Sequence, residues 1–535
     1  MELIPHPKVT FMGINALGVT SLCVFGLCVF AAKTLLSLKE KQRRLPPGPK
    51  PKPFIGNLRD LPPSGQPAWL HWTKHKDLYG PISSVTVFGT TLVILNDRNI
   101  AAELLDKRSV IYSSRPKLVF GGELVGWEHA LPFSTYSERF RAFRKFLRAE
   151  IGTKSSIMRF TSLQDVEVHR FLLRLLEKPE NFLQHIRTMA GAIILKISYG
   201  YTIEPRDRDP LVDLADQALD TLSHCTIAGA WIVDTLPFLK YIPSWMPGMT
   251  FKHTAAKWRK VLMDHVDKPV EFVKRQMAAG INAPSYTSSL LAKGDHDPEH
   301  EFLVKWSAQS LYGGGADTTV NVLQCLFLAM MVYPEVLRKA QAEIDSAVGN
   351  DRLPDFNDRQ NLPYIEAILK ELLRWHPIGP LGFAHVTTED DVYEAYFIPK
   401  GALVIANIWW YTHDPDTYHD PMAFKPERFL GDESELNPAS LSFGFGRRIC
   451  PGRELADASL YLTVSRILAT FNIDKPVENG KTVEPVVDFT PGAISHPVDF
   501  KVRIKPRSER AEALIRSVEE EHPFMPSDAE TLRNL

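Results

Sequence analysis

Phe443-Gly444-Phe445-Gly446-Arg447-Arg448-Ile449-Cys450-Pro451-Gly452 is the stretch around which the rest of this 535-residue chain is read. Its lone cysteine is flanked by glycines and preceded by two arginines, a composition that suits a metal-binding thiolate. A single thiolate donates electron density to iron and so favours cleavage of an O–O bond. Gly446 and Gly452 permit tight turns and close backbone approach around the sulfur. Arg448, two residues before the sulfur, places a cation beside whatever the cysteine holds. Gly444-x-Gly446 alone would carry little information.

The run resembles the haem-binding signature of the cytochrome P450 family, Phe-x-x-Gly-x-Arg-x-Cys-x-Gly. Phe443, Gly446, Arg448, Cys450 and Gly452 meet every fixed position. Agreement at so many specified positions disfavours the plainer reading, a buried structural cysteine beside a glycine turn. The resemblance implies a mainly α (α+β) P450 fold, a large helical domain with a small β-rich region. It also implies haem b as cofactor, with Cys450 as the axial iron ligand, Phe443, Gly446 and Gly452 shaping the loop and Arg448 on a haem propionate.

Acidic and basic residues nearly cancel, for a formal net charge of -1, so nothing global suggests nucleic acid or a polyanionic substrate. The five cysteines contain no Cys-x-x-Cys pair, which argues against a disulfide framework or a zinc ribbon and fits a reducing compartment. Cys225 and Cys325 lie in apolar surroundings and read as small buried side chains. There is no internal repeat or low-complexity block, so one large catalytic domain is expected despite the length.

Residues 9–32 carry no charge and are long enough to cross a hydrocarbon core, so they read as one N-terminal transmembrane helix after a short lumenal segment, 1–8. The apolar run exceeds the usual h-region and no Ala-x-Ala site follows, which disfavours a cleaved signal peptide. Lys33, Lys39, Lys41, Arg43 and Arg44 follow the span, so the large domain is expected to face the cytosol. The basic and proline-rich hinge, 33–53, ends in Leu45-Pro46-Pro47-Gly48-Pro49-Lys50-Pro51-Lys52-Pro53, which favours stiff, extended geometry. It is similar to the hinge of microsomal P450s, which implies the endoplasmic reticulum membrane. The catalytic domain is expected over 54–506, beginning with β-type runs at 82–87 and 91–95. A charged and polar tail, 507–535, is expected to be partly disordered.

Glu301 to Val332 reads as one helix ending before Pro334, yet its middle holds Gly313-Gly314-Gly315-Ala316-Asp317-Thr318-Thr319. An interior glycine costs about 1 kcal/mol relative to alanine, so three together demand a compensating reason, such as a groove open to a ligand. The plainer reading is a glycine hinge with polar helix residues. The segment resembles the P450 oxygen-activation motif, which implies Thr318 as the catalytic threonine and Asp317 as its proton relay. A hydroxyl can organise water beside bound O₂ while a neighbouring acid passes protons.

Glu371 and Arg374 lie at i and i+3 of a helical stretch, where their side chains meet. Alone such a pair is common on surfaces. Together with Pro426-Glu427-Arg428-Phe429 it resembles the P450 network of Glu371, Arg374 and Arg428 that supports the thiolate loop. The basic run Arg139, Arg141, Arg144, Lys145 and Arg148 by itself suits a solvated helix face. The resemblance implies Arg144 on a propionate, with Phe140 where the family usually has tryptophan, and His385 as another propionate contact.

No dinucleotide fingerprint or phosphate loop is present, so NADPH is expected to act only indirectly. The resemblance implies NADPH-cytochrome P450 reductase as partner, and cytochrome b5 as a further one, with Lys145, Arg148 and Arg447 on the docking face. Candidate substrate contacts are 110–133, 227–249, 311–316, 380–383 and 492–496, and the stretch with Trp231, Phe238, Trp245 and Met246 is also a candidate for dipping into the membrane. Leu-Pro-Pro-Gly-Pro-Lys, Tyr-Gly-Gly-Gly-Ala-Asp-Thr-Thr and Gly-Arg-Arg-Ile-Cys-Pro-Gly look like fungal P450s of secondary metabolism, of basidiomycete type. The expected function is a monooxygenase acting on a lipophilic small molecule with O₂. A haem-thiolate isomerase or dehydratase, and a membrane haem sensor or carrier, are the alternatives; the Asp317-Thr318 pair speaks against both.

Overall fold

Strands rich in β-branched residues, β1 (Ile82–Val87) and β2 (Thr90–Leu95), pair antiparallel with Ile82 opposite Leu95. Their two-residue turn, Phe88-Gly89, has positive φ at both positions, matching the twist of the strands. β3 (His385–Val386) and β4 (Leu403–Ala406) complete a four-stranded sheet in the order β1-β2-β4-β3, with β4 parallel to β2. The computed structural model describes residues 44–533 apart from residues 64, 228, 295 and 296. The expected lumenal segment, transmembrane helix and most of the basic hinge fall outside the described residues.

The proline-rich part of the hinge does not stand off as a spacer. Pro46 and Pro47 carbonyls accept hydrogen bonds from the Ser84 hydroxyl and amide at 2.6 and 2.8 Å, and a Cβ on Gly48 would collide with the Ser84 carbonyl at 1.9 Å. Gly48 is therefore what lets this segment lie along β1.

The rest is mostly helical. The helices that frame the site are α1 (Glu138–Ile151), α2 (Thr161–Glu177), α3 (Phe182–Tyr199), α4 (Pro210–Cys225), α5 (Thr250–Ala278), α6 (Pro298–Val332), α7 (Pro363–Trp375), α8 (Arg453–Thr470) and α9 (Glu509–Arg516). α6 starts one turn before the expected Glu301, because Asp297 caps the Glu299 amide and Pro298 occupies the first helical position. It ends at Tyr333, before Pro334. Its side chains are apolar nearly all round, as a helix at the centre of a core requires, and it packs against α3, α1, α5, α4 and α8. Among the described residues α6 is the one helix long and apolar enough to cross a membrane, and most of it is buried within the protein.

β5 (Phe471–Asp474) pairs antiparallel with β6 (Arg503–Pro506). Beyond β6 the structure corrects the expectation of a partly disordered tail. Residues 509–533 form α9 and two short helices, with Ile515, Val518 and Leu532 buried. His169 and Arg170 of α2 bond to the carbonyls of Leu514, His522 and Pro523, and Asp528 accepts from the Thr202 amide at 2.7 Å. The charged residues of this segment form its outer face, so composition concealed an amphipathic helix.

Candidate active site

The cysteine loop is closed by the Cys450 amide donating to the Phe443 carbonyl at 2.9 Å. Gly446 has φ +53°, and a Cβ there would lie 2.3 Å from the Leu105 carbonyl, so both conformation and space exclude a side chain. Gly452 precedes the first turn of α8, so the sulfur sits at a helix N-terminus, where positive partial charge favours a thiolate. Burial pushes the Cys450 pKa up. The Gly452 amide, then the cations Arg144 and Arg453, then the Arg453 amide pull it back down. Cys225 and Cys325 are buried, and burial raises the Cys225 pKa to about 12 and that of Cys325 further. Neither has Cys450's set of counteracting donors and cations.

Arg448 donates to the carbonyls of Ser113, Leu131 and Ser134 at 2.7, 3.2 and 2.7 Å, and its guanidinium lies 3.9 Å from the centre of the Phe140 ring. Phe140 thus gives up an indole N–H but keeps an aromatic face against the arginine. Arg115, whose individual role sequence reasoning missed, donates to the carbonyls of Pro132, Phe383 and Ala384. His385 Nδ1 lies 2.7 Å from the Tyr112 carbonyl, and both Arg115 and Arg448 lower its pKa on top of burial. Burial and Arg144 bring Arg448 down to about 9, while burial and Arg448 hold Arg115 well below its ordinary value. None of Arg115, Arg144 and Arg448 is within ion-pair distance of a carboxylate among the described residues. Buried cations without counter-ions are costly, and an anionic group would relieve all of them.

Arg144, expected on a propionate, lies against the cysteine loop. Its Nη1 donates to the Ile449 carbonyl at 2.5 Å, beside the sulfur, where its charge acts on Cys450.

The three glycines of α6 serve different ends. A Cβ on Gly315 would lie 2.6 Å from Ile194 Cγ1, so this glycine sets how closely α6 approaches α3. Gly313 has moderate room near Gln309. A Cβ on Gly314 would meet nothing within 4 Å, so only this glycine borders open space. Thr318 donates to the Gly314 carbonyl at 2.7 Å, and Asp317 Oδ2 lies 3.1 Å from His496 Nε2.

The Cytochrome P450 family model matches residues 46–503. The chain is a cytochrome P450. It is 50% identical over 496 residues to cytochrome P450 monooxygenase claR of Ampulloclitocybe clavipes, covering 92% of each chain. It is 49% identical to cytochrome P450 monooxygenase CLM2 of Gibberella zeae, over 93% of this chain and 96% of that one. The O-methylsterigmatocystin oxidoreductase of Aspergillus flavus is 42% identical, over 92% of this chain and 94% of its own. This P450 is therefore a monooxygenase that uses haem iron, O₂ as co-substrate and electrons from a reductase. Its residues fit a haem: a thiol backed by amides and cations stands on one side, and a cluster of buried cations without carboxylate partners suits the two propionates.

Glu371 and Arg374 of this P450 are both 0% exposed and paired at 2.7 and 2.8 Å, and Arg374 also donates to the carbonyls of Thr412, Pro421 and Ala423. Arg428 Nε is 3.2 Å from Glu371, and Arg428 Nη1 donates to Glu435 at 2.7 Å. Glu435 is a fourth member that no motif announced. Of the expected substrate segments, 110–133 lines a narrow cleft through Leu118, Gly121 and Phe133, closed on the other side by Leu222 and Cys225. Beside it Trp231 stacks on Phe120 at 3.5 Å, while Phe238 and Trp245 are exposed.

Proposed function

We propose that this P450 oxidises a lipophilic small molecule in fungal secondary metabolite biosynthesis, by hydroxylation or a related insertion of oxygen. The single observation that carries the reading is the position of Cys450, at the N-terminus of α8 among amides and cations. Bound haem would supply O₂ activation, and thiolate ligation favours O–O cleavage.

Cys450 would hold the iron, with Phe443, Gly446 and Gly452 shaping the loop that presents it. Arg448, Arg144 and His385 would hold the propionates, with Arg115 beside them, and the charge of Arg144 also favours the thiolate. Thr318, bonded to the Gly314 carbonyl, orients a proton donor over the open stretch at Gly314, and Asp317 supplies protons to it. Glu371, Arg374 and Arg428 hold the segment that supports the cysteine loop.

Electrons come from NADPH-cytochrome P450 reductase, with cytochrome b5 as a second donor, docking near Lys145, Arg148 and Arg447. Residues 9–32 anchor the chain in the endoplasmic reticulum membrane, and exposed Phe238, Tyr241 and Trp245 rest on the same bilayer, from which a lipophilic substrate enters. The proton-handling Asp317-Thr318 pair favours monooxygenation over isomerisation, dehydration or haem carriage, which need no such delivery.

The deciding experiment is a carbon monoxide difference spectrum of reduced microsomes carrying this chain beside its Cys450→Ala variant. A strongly red-shifted Soret band that vanishes in the variant is expected. A folded, haem-loaded protein without that band would mean Cys450 is not the working ligand.

A further inference from the structure

His496 lies 179 positions from Asp317 in the chain, yet the fold seats its ring on α6. Nε2 is 3.1 Å from Asp317 Oδ2 and Nδ1 is 3.0 Å from Gln324 Oε1. Asp317, Asn321 and Gln324 stand at i, i+4 and i+7, one stripe of the helix. Asn321 donates to the Ser495 carbonyl, so the whole stripe is spent on one turn of chain.

That turn is pinned independently of the ring. The His496 amide donates to Thr490 Oγ1 at 3.0 Å, Ser495 Oγ donates to the Thr490 carbonyl at 2.7 Å, and the Ser495 amide donates to the Ile378 carbonyl at 3.0 Å. The ring therefore reaches Asp317 from a rigid base. Gln324 can present Nδ1 with its amide oxygen or, turned over, with its N–H, while Nε2 faces the carboxylate.

The other charged groups near Asp317 come from α4 and α3. Asp216 of α4 feels the Asp317 charge, and Arg187 of α3 is 3.7 Å from Asp216. His496 is the one cationic or N–H-donating side chain within hydrogen-bond distance of Asp317 among the described residues.

We propose that His496 is a positioning residue of the oxygen-activating site: it holds the Asp317 carboxylate in place so that Asp317 can supply protons to Thr318. This rests on the proposed proton-relay role of Asp317 and extends it to a residue contributed by a distant turn.

The test uses the full-length, haem-loaded protein with reductase, and the variants His496→Phe, His496→Gln, Asp317→Asn and the two doubles with Asp317→Asn. Two quantities are read: hydrogen peroxide released per NADPH consumed, and the C–O stretching frequency of the reduced carbonyl complex, which reports the field on the distal side without turnover. His496→Phe is expected to raise the peroxide fraction several-fold and shift the stretch, His496→Gln to restore part of both by keeping one donor, and each double to match Asp317→Asn alone. Values for His496→Phe equal to wild type, or effects that simply add to those of Asp317→Asn, overturn the proposal, since a purely structural turn acts independently of Asp317. If His496→Phe fails to load haem, His496→Gln and its double decide by the same criterion. A wild-type carbonyl complex without the red-shifted band would overturn the haem-thiolate reading and this inference with it, whereas an intact band with additive variants overturns the inference alone.

Discussion

Phe140 stands where most of the family has tryptophan, and its ring packs 3.9 Å from the Arg448 guanidinium. An exposed cation–π contact contributes about 0.5 to 1 kcal/mol and a desolvated one about 2. Phe140→Leu should therefore release haem several times faster than wild type on transfer to apomyoglobin, while Phe140→Trp should match or slow it. Buried His265 gives a second residue-scale expectation. Among the described residues neither ring nitrogen has a hydrogen-bond partner, and burial brings its pKa down to about 3. The unfolded chain takes up a proton below its ordinary value of 6.5 that the folded chain refuses, so this residue leaves stability unchanged above that pH and erodes it as the pH falls towards 3. At pH 5 the loss is roughly 2 kcal/mol. His265→Phe, stacked on Tyr312 in its place, should flatten that part of the acid limb in urea titrations at pH 7 and pH 5; an unchanged pH 5 deficit would count against it. The cysteine loop was legible because its residues are contiguous and their spacing carries the chemistry. Arg115 and His496 fell inside broad candidate substrate segments, but their individual roles were not legible, since each joins the site by a contact across more than 170 positions.

At the scale of the element, α6 was foreseen as a helix with a costly glycine run, and the structure assigns that cost to separate needs. Gly315→Ala drives a methyl into Ile194 and should destabilise the protein by about 1 to 3 kcal/mol, as overpacking does. Gly314→Ala meets nothing and gains helix propensity, so the protein should be more stable by up to about 1 kcal/mol while turnover falls, because the methyl takes up part of the open space that Gly314 borders. Thermal melts of the two variants should thus move in opposite directions. α7 carries the other element-scale expectation. Removing one member of a buried ion network costs about 3 to 5 kcal/mol, and Glu371→Ala strands buried Arg374 and leaves Arg428 with Glu435 alone, so it should yield haem-free protein. Normal haem content in that variant would show the network to be dispensable. The i, i+3 pair was readable from sequence, but the contribution of Glu435 was not, since it does not follow from helical spacing.

Across the whole molecule, the hinge and the final segment are where composition misled. Prolines suggested a free strut and charges suggested a loose end, yet both are fastened to the body, the first along β1 and the second across α2. The match to the family stops at residue 503, whereas the chain continues to bury Ile515, Val518 and Leu532 beyond it. A protein cut at the family boundary would thus lose part of its own wall. Anyone joining a reporter or an electron-donating module at that point would be grafting onto an open wound, and a fusion should instead begin after the last short helix, where the polypeptide has finished closing itself.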